Sequence, residues 1–353
     1  MSMVRLPAGF AGLLTLFVCC WTAACHRGGQ EKRKIDPIPV SVASLPFEGD
    51  MPFLGYACDL TVVDSILYLQ DVKGGGTLLR AFSYPSLKLL CSFVNRGHGP
   101  GEMLGVSGYT VDADSLRVFA ANDRKMAVYA VSDIRQGVGT PSRMFEYPAS
   151  CMPALAFGKV SDGFVLLHAS PEHRLILIDD AGNVVAEKYK IPDPESDKSD
   201  IWPEARPYLW QSALASDGSV VVLGTRLGEV LEIYDLQDSS RNKIIRGEGG
   251  DPEAVVRGTM RQLGRINGFQ ELDMLDGKLY ALYDGSELTI GGEVEDKPRK
   301  IFLRVYDLSA GELERVYELD RCISSFDILP DGRTVIAADP TSERQLCTFT
   351  LPE

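Results

Sequence analysis

Apolar and polar residues along this chain alternate in short runs, and the runs recur in step with a two-residue turn signal. The signal stands at Asp64-Ser65, Asp114-Ser115, Asp162-Gly163, Asp217-Gly218, Asp276-Gly277 and Asp331-Gly332, at steps of 50, 48, 55, 59 and 55 residues. An apolar run follows each one: ILYLQ, LRVFAA, FVLLHA, VVVLGT, LYALYD and TVIAAD. Asp-Gly and Asp-Ser tolerate the positive φ of tight hairpins, so each signal predicts a turn between a first and a second strand. A third strand carries an apolar-aromatic theme (LLRAFSY, KMAVYAV, RLILIDD, VLEIYDL, FLRVYDL, QLCTFTL), and a fourth alternates at period two, as in ELERVYEL. A repeat of this length built only of short strands predicts an all-β fold, a six-bladed β-propeller.

Strand counting also predicts how the ring closes. The sixth unit ends after its third strand, and the strand pattern PVSVASLPF at 39–47 precedes the first unit. Donated to blade six, this N-terminal strand completes the sheet and leaves no unpaired edge. Two insertions break the period. Pro192 to Leu209 is Pro-rich and acidic, then aromatic, and lies between blades three and four; Gly285 to Lys300 lengthens a turn of blade five as a charged hairpin extension. Loops of that length are uncommon unless functional or disordered.

The N-terminus reads as a targeting segment. Arg5 supplies a positive charge, and Phe10 to Ala24 is an apolar stretch of signal-peptide length, too short for a membrane span. It ends in Thr22-Ala23-Ala24 before Cys25, which resembles a bacterial lipobox with Thr in place of the usual Leu. Residues 1–24 are therefore expected to be a lipoprotein signal peptide and Cys25 the lipid attachment site. Residues 25–35 are expected to be a membrane tether, and 36–353 the propeller. One acidic residue, Glu31, among the basic residues of the tether favours a periplasm-facing anchor in the cell envelope.

The net charge of −13 repels phosphate backbones and removes nucleic acid from the expected partners. Of eight cysteines, Cys58, Cys91, Cys151, Cys322 and Cys347 fall in the propeller, with no C-x-x-C pair, so unpaired core thiols are expected rather than a zinc or thioredoxin site.

After the fourth strand of blade one comes Asn95-Arg96-Gly97-His98-Gly99-Pro100-Gly101-Glu102, and a degenerate echo, Arg246 to Glu253, follows blade four. The G-x-G-P-G-E run resembles one in Bacteroidetes six-bladed propeller lipoproteins, the TolB-like or NHL-like family, with Met103 where an aromatic is common. The resemblance implies a six-bladed envelope lipoprotein and no particular activity. Physically, the glycines either present N–H groups to an anion beside Arg96 and His98, or simply permit a blade-to-blade crossover capped by Glu102. The G-K-[ST] ending of a phosphate loop is absent.

Candidate chemistry is sparse. Aligning the inner strands on the turn signal puts Asp59 and Glu271 in one register and Asp327 one step off. These channel carboxylates are the only basis for a calcium site and a metal-dependent hydrolase or lyase. Four histidines and no G-x-S-x-G argue against a serine triad. Trp202, Arg206, Tyr208 and Trp210 cluster in the insertion before blade four, residue types that dominate interfaces. The leading expectation is a monomeric, non-catalytic recognition propeller for a glycan, peptide or envelope protein. A structural accessory subunit of a membrane complex is the third alternative.

Overall fold

Each turn signal folds the chain back into a hairpin, and the hairpins build six antiparallel sheets. The computed structural model describes residues 35–46, 53–192, 206–257, 260–288 and 300–353. Blade one comprises Ala57–Val63, Ile66–Asp71, Thr77–Ser83 and Leu89–Asn95. Blade two comprises Gly108–Val111, Ser115–Ala120, Lys125–Ala130 and Arg143–Glu146, and blade three Ala154–Val160, Gly163–His168, Leu175–Ile178 and Val184–Lys188. Blade four comprises Ser212–Asp217, Val220–Thr225, Val230–Asp235 and Lys243–Arg246. Blade five comprises Phe269–Leu275, Lys278–Tyr283, Ile301–Asp307 and Glu312–Leu319, and blade six Ser325–Ile328, Thr334–Ala338 and Leu346–Thr350. The first strand of each blade is innermost.

The signals differ in how they turn. In blades one and five the signal residues are the two-residue loop: Val63 pairs with Ile66, and Leu275 with Lys278. Both central residues have positive φ, 48° and 63° at Asp64 and Ser65, 51° and 74° at Asp276 and Gly277, the geometry that suits the twist of a hairpin. In blade four Asp217 pairs with Val220, so the loop lies one residue further on. In blade six Ile328 pairs with Val335 and the loop is longer. There Asp331 Oδ1 accepts hydrogen bonds from the backbone N–H groups of Arg333 and Thr334, at 2.8 and 2.7 Å.

The core is divided among the blade boundaries. Ile66 and Tyr68 pack toward Leu116 and Val118 of blade two, whereas Leu67 and Leu69 on the same strand pack toward Ile336 and Leu346 of blade six. Successive side chains of a strand point to opposite faces. A strand sandwiched between two neighbouring blades must therefore be apolar at every position, which is why the second strands read as unbroken runs rather than as alternation. Equivalent clusters join the remaining blades in turn. Between blades two and three the cluster contains a row of stacked rings, Tyr147, Phe119, Phe157 and Phe164, at 4.9, 5.0 and 5.1 Å between centroids.

Closure follows the strand count, with the N-terminal segment divided between two blades. Ala43–Ser44 pairs antiparallel with Leu346–Thr350 and supplies the missing fourth strand of blade six. Ile38–Val40 pairs parallel with Glu312–Leu319 and becomes a fifth strand of blade five. Asp320 marks the switch, accepting hydrogen bonds from Val42 N–H at 2.8 Å and Ser41 Oγ at 2.7 Å.

The sequence reading had no place for a two-stranded ribbon, Ala254–Arg257 with Met260–Leu263, which lies in the connection from blade four to blade five. Of the two expected insertions, residues 193–205 and 289–299 lie outside the described residues, as do residues 1–34 with Cys25. Arg206–Leu209 forms one helical turn. No disulfide joins the five propeller cysteines among the described residues; Cys91, Cys151 and Cys347 are buried, and Cys58 and Cys322 half-buried.

Candidate functional site in the channel and on the connection face

The inner strands enclose a central cavity of about 800 Å³, lined from blades one to five. Asp59, Asp217 and Asp273 line it, and a row of carboxylates runs beside it across blades five, six and one. Asp273 Oδ2 accepts from the backbone N–H of Ile328 in blade six at 2.9 Å, and its Oδ1 accepts from Met274 N–H at 2.7 Å. Asp327 continues the pattern into blade one, accepting from Val62 N–H at 2.8 Å and from Thr61 Oγ1 at 3.2 Å. Ser325 Oγ accepts from Leu60 N–H at 3.3 Å. Burial pushes Asp59, Glu271, Asp273 and Asp327 above the ordinary carboxylate range. The charges reinforce one another: Glu271 and Asp327 raise Asp59, and Asp273 raises both Glu271 and Asp327, while Arg226 partly offsets the effect at Glu271.

Glu271 and Asp327 are thus brought within electrostatic reach of Asp59, but in a different role from the one sought. Asp273 and Asp327 direct oxygens at backbone N–H groups of the next blade and so tie the ring together. Among the described residues, no three His, Cys, Asp or Glu side chains are placed to hold one metal ion. Asp273 was missed in the sequence, although it stands two residues after Glu271 and so shares its face of the strand.

Strand direction gives the ring two dissimilar faces. One carries the turns between first and second strands. The other, the connection face, carries every crossover from a fourth strand to the next inner strand. On it, the G-x-G-P-G-E loop is closed from within. Glu102 Oε2 accepts from Gly99 N–H at 2.7 Å, and a Cβ at Gly97 would lie 2.0 Å from that oxygen. Lys125 Nζ donates to the Glu102 carbonyl at 3.0 Å. The echo loop is built alike with a borrowed carboxylate: Glu229 Oε2 accepts from Gly249 N–H at 3.0 Å and from Tyr283 Oη at 3.0 Å, and Oε1 from Arg304 Nη1 at 2.5 Å. A Cβ at Gly247 would lie 1.7 Å from Glu229 Oε1. In both loops a carboxylate already occupies the place an anion would take, so the glycines serve the crossover. Of the two readings of the loop, the crossover capped by Glu102 fits this geometry and the anion-presenting one does not. Arg96 and His98 stay exposed, Arg96 Nη2 donating to the Val72 carbonyl at 2.7 Å.

The aromatic insertion separates into parts. Trp202 lies outside the described residues. Tyr208 is 46% exposed, whereas Trp210 is 2% exposed and packs with Ile191, Leu209 and Val230. The expectation that Trp210 presents its ring to a ligand is therefore corrected: it is a core residue. Its carbonyl accepts from Arg174 Nη2 at 2.8 Å, and Arg174, whose guanidinium sits 5.8 Å from the Trp210 ring, is itself paired with Glu232. Arg206, at the start of the helical turn, is half-buried. Two exposed apolar groups that the sequence reading passed over join Tyr208 on this face, Phe53 before blade one and Leu104 before blade two.

No curated protein matches this chain. Solved structures of similar fold include a member of the DUF4221 family from Bacteroides vulgatus, 13% identical, with a TM-score of 0.54 over 90% of this chain and 97% of that one. A protein of Bacteroides fragilis assigned as exported is 12% identical, with a TM-score of 0.53 over 89% of this chain and 95% of the other. The Pan2 WD40 domain of Neurospora crassa is 14% identical, with a TM-score of 0.52 over 85% and 90%. At these identities the likeness is one of fold. Residues 43–331 match the family described as TolB-like 6-blade propeller-like, and the chain, which builds six blades, belongs to this family of propellers.

Proposed function

We propose that the protein is a non-catalytic recognition propeller of the cell envelope, lipid-anchored through Cys25, that engages a partner protein on its connection face. The observation that carries this reading is the contrast between the faces. Phe53, Tyr208 and Leu104 are 80%, 46% and 39% exposed, and all three stand in connections leading to an inner strand. The other large exposed apolar residues, Leu89, Val138, Val185 and Ile244, lie on fourth strands or just before one. Exposed apolar groups on loops held by a rigid scaffold are typical interface anchors. Spread over blades one, two and four, they suit a broad protein surface better than a small metabolite. The apolar stretch before Cys25 supports the anchor, the single acidic residue of the tether, Glu31, supports the periplasm-facing position, and a Bacteroides relative in fold assigned as exported is consistent with an envelope location.

The test is a photo-crosslinking amino acid placed at Phe53, at Tyr208 or, on the opposite face, at exposed Asp180 in intact cells. Positions 53 and 208 should give one discrete protein adduct, and position 180 none. Equal adducts from all three, or none from either connection-face position, would refute the reading. Cys25→Ser should move the protein from the membrane fraction to the soluble envelope fraction, and an unchanged membrane fraction would remove the anchor.

A further inference from the structure

Phe53 is the most exposed of the large apolar residues described, and the backbone it stands on is held at every residue up to the first strand of blade one. The Phe53 carbonyl accepts from Arg80 Nη1 at 2.7 Å, and the Leu54 carbonyl from Gln345 Nε2 at 2.8 Å. Asp71 Oδ1 accepts from the N–H groups of Gly55 and Tyr56 at 3.1 and 2.8 Å. The Tyr56 carbonyl accepts from Val72 N–H at 3.1 Å, and Ala57 N–H donates to Gln345 Oε1 at 2.7 Å.

The side chains that hold this segment are buried. Arg80 on the third strand of blade one and Asp71 at the end of the second are 6% and 0% exposed and paired at 3.2 Å. Arg80 Nη2 also donates to the Gly74 carbonyl at 2.8 Å. Gln345, just before the third strand of blade six, is buried too. The segment lies so close to its neighbour that a Cβ at Gly55 would stand 2.2 Å from the Lys73 carbonyl oxygen. Ring closure is already served at this boundary by other contacts. Leu54 and Leu60 pack with Ile336 and Leu346, and Asp327 ties the inner strands. A buried ion pair adds little net stability, because desolvating two charges offsets their attraction. What the guanidinium supplies is a planar fork of donors that fixes geometry. Here it fixes the main chain beside a ring left in solvent. An aromatic anchor whose backbone is ordered before binding avoids the entropy of ordering it in the complex.

We infer that Arg80, held by Asp71, and Gln345 are positioning residues, which set Phe53 out as a preorganised knob for a ring-sized apolar pocket of the partner protein. This rests on the recognition reading above and adds the residues through which its blade-one anchor is made rigid.

The test has two measurements on the full-length protein. Arg80→Lys keeps a charge for Asp71 but loses the fork that reaches the Phe53 and Gly74 carbonyls. In the purified protein it should speed amide hydrogen exchange at Gly55, Tyr56 and Ala57 several-fold, as local opening becomes easier. In intact cells with the photo-crosslinking residue at position 208, Phe53→Ala and Arg80→Lys should each lower the adduct several-fold. The double variant should fall no further than Phe53→Ala alone, because Arg80 acts through Phe53. Gln345→Met, which frees the segment from the blade-six side, should behave as Arg80→Lys does, and it decides the matter if Arg80→Lys does not fold. Unchanged exchange in both variants, a full adduct in a variant whose exchange has risen, or additive losses in the double variant would each overturn the inference. An adduct missing from the wild type would refute the recognition reading itself, and this inference with it.

Discussion

Asp327 of blade six accepts a hydrogen bond from the backbone N–H of Val62 in blade one, at 2.8 Å and across 265 positions of sequence. Asp273 does the same for Ile328 one boundary earlier. These carboxylates are held by donors that favour the ionised form, yet they are crowded by burial and by each other, which favours the proton. Burial dominates, so the ring closes over a cluster that retains protons to unusually high pH.

That balance predicts a stability profile. Asp273, Glu271 and Asp327 are pushed up to about 6, 7 and 8. The unfolded chain releases the same protons near pH 4, so between about pH 4 and 8 the folded state holds more protons, and stability falls as pH rises through that window. Aspartates held low by hydrogen bonds, such as Asp331 and Asp235, act the other way, but only in more acid solution. The melting temperature should be higher at about pH 5.5 than at about pH 8, and Asp327→Asn, which cannot ionise, should flatten the difference. A wild-type melting temperature that rises over this interval would contradict the account.

Gly97 faces Glu102 with no room for a methyl group, since a Cβ would lie 2.0 Å from Oε2. Gly97→Ala should displace the Glu102 carboxylate and break its hydrogen bond to Gly99 N–H, costing about 0.5–1.5 kcal/mol. The double variant Gly97→Ala/Glu102→Ala should cost less than the two singles combined, because each alone already loses the same hydrogen bond. Urea denaturation of the two singles and the double measures the coupling, and strict additivity would show that the two residues do not collide.

The pair Arg174–Glu232 is sealed, with side-chain exposures of 1% and 0%. Tyr234 Oη donates to Glu232 Oε2 at 2.7 Å, and Arg174 reaches Ser212 and the Trp210 carbonyl. Glu232→Ala would leave a buried guanidinium unpaired and should lower stability by about 3–5 kcal/mol. Replacing both with apolar residues of similar size should cost clearly less. Equal losses in the single and double variants would locate the effect in packing rather than in charge.

The N-terminal strands should matter in proportion to what they bury. Val40, Val42 and Leu45 are 6%, 9% and 7% exposed, each worth about 1.5–3 kcal/mol when buried. Deleting residues 36–46 should therefore lower the melting temperature sharply, whereas deleting 26–34 should leave it nearly unchanged. Similar melting temperatures for the two truncations would argue against closure by this segment.

Much of the architecture was legible because it is local. A turn signal, the apolar run after it and an alternating fourth strand lie within one blade, so their spacing alone reveals blade number and the missing strand of blade six. The shared register of Asp59 and Glu271 was also visible, since residues at equal distance from equivalent turns occupy equivalent heights in the channel. Less was legible of the binding face. Trp210 and Tyr208 are two residues apart and chemically alike, yet one is core and the other exposed. The difference is made largely by Arg174, Ile191 and Val230, which are contributed from distant parts of the sequence.

By itself, then, the sequence determined the number of blades, the hairpins that open them and the need for an N-terminal strand to close the ring, all consequences of hydrogen bonding and side-chain alternation over short spans. Only the tertiary structure decided what the carboxylates do. Asp273 lies 55 positions from Ile328, and Glu229 75 from Arg304. Whether such a group coordinates an ion, caps a loop or ties two blades depends on which backbone N–H or guanidinium the ring brings opposite it, and a carboxylate shielded from water takes the donor it is given.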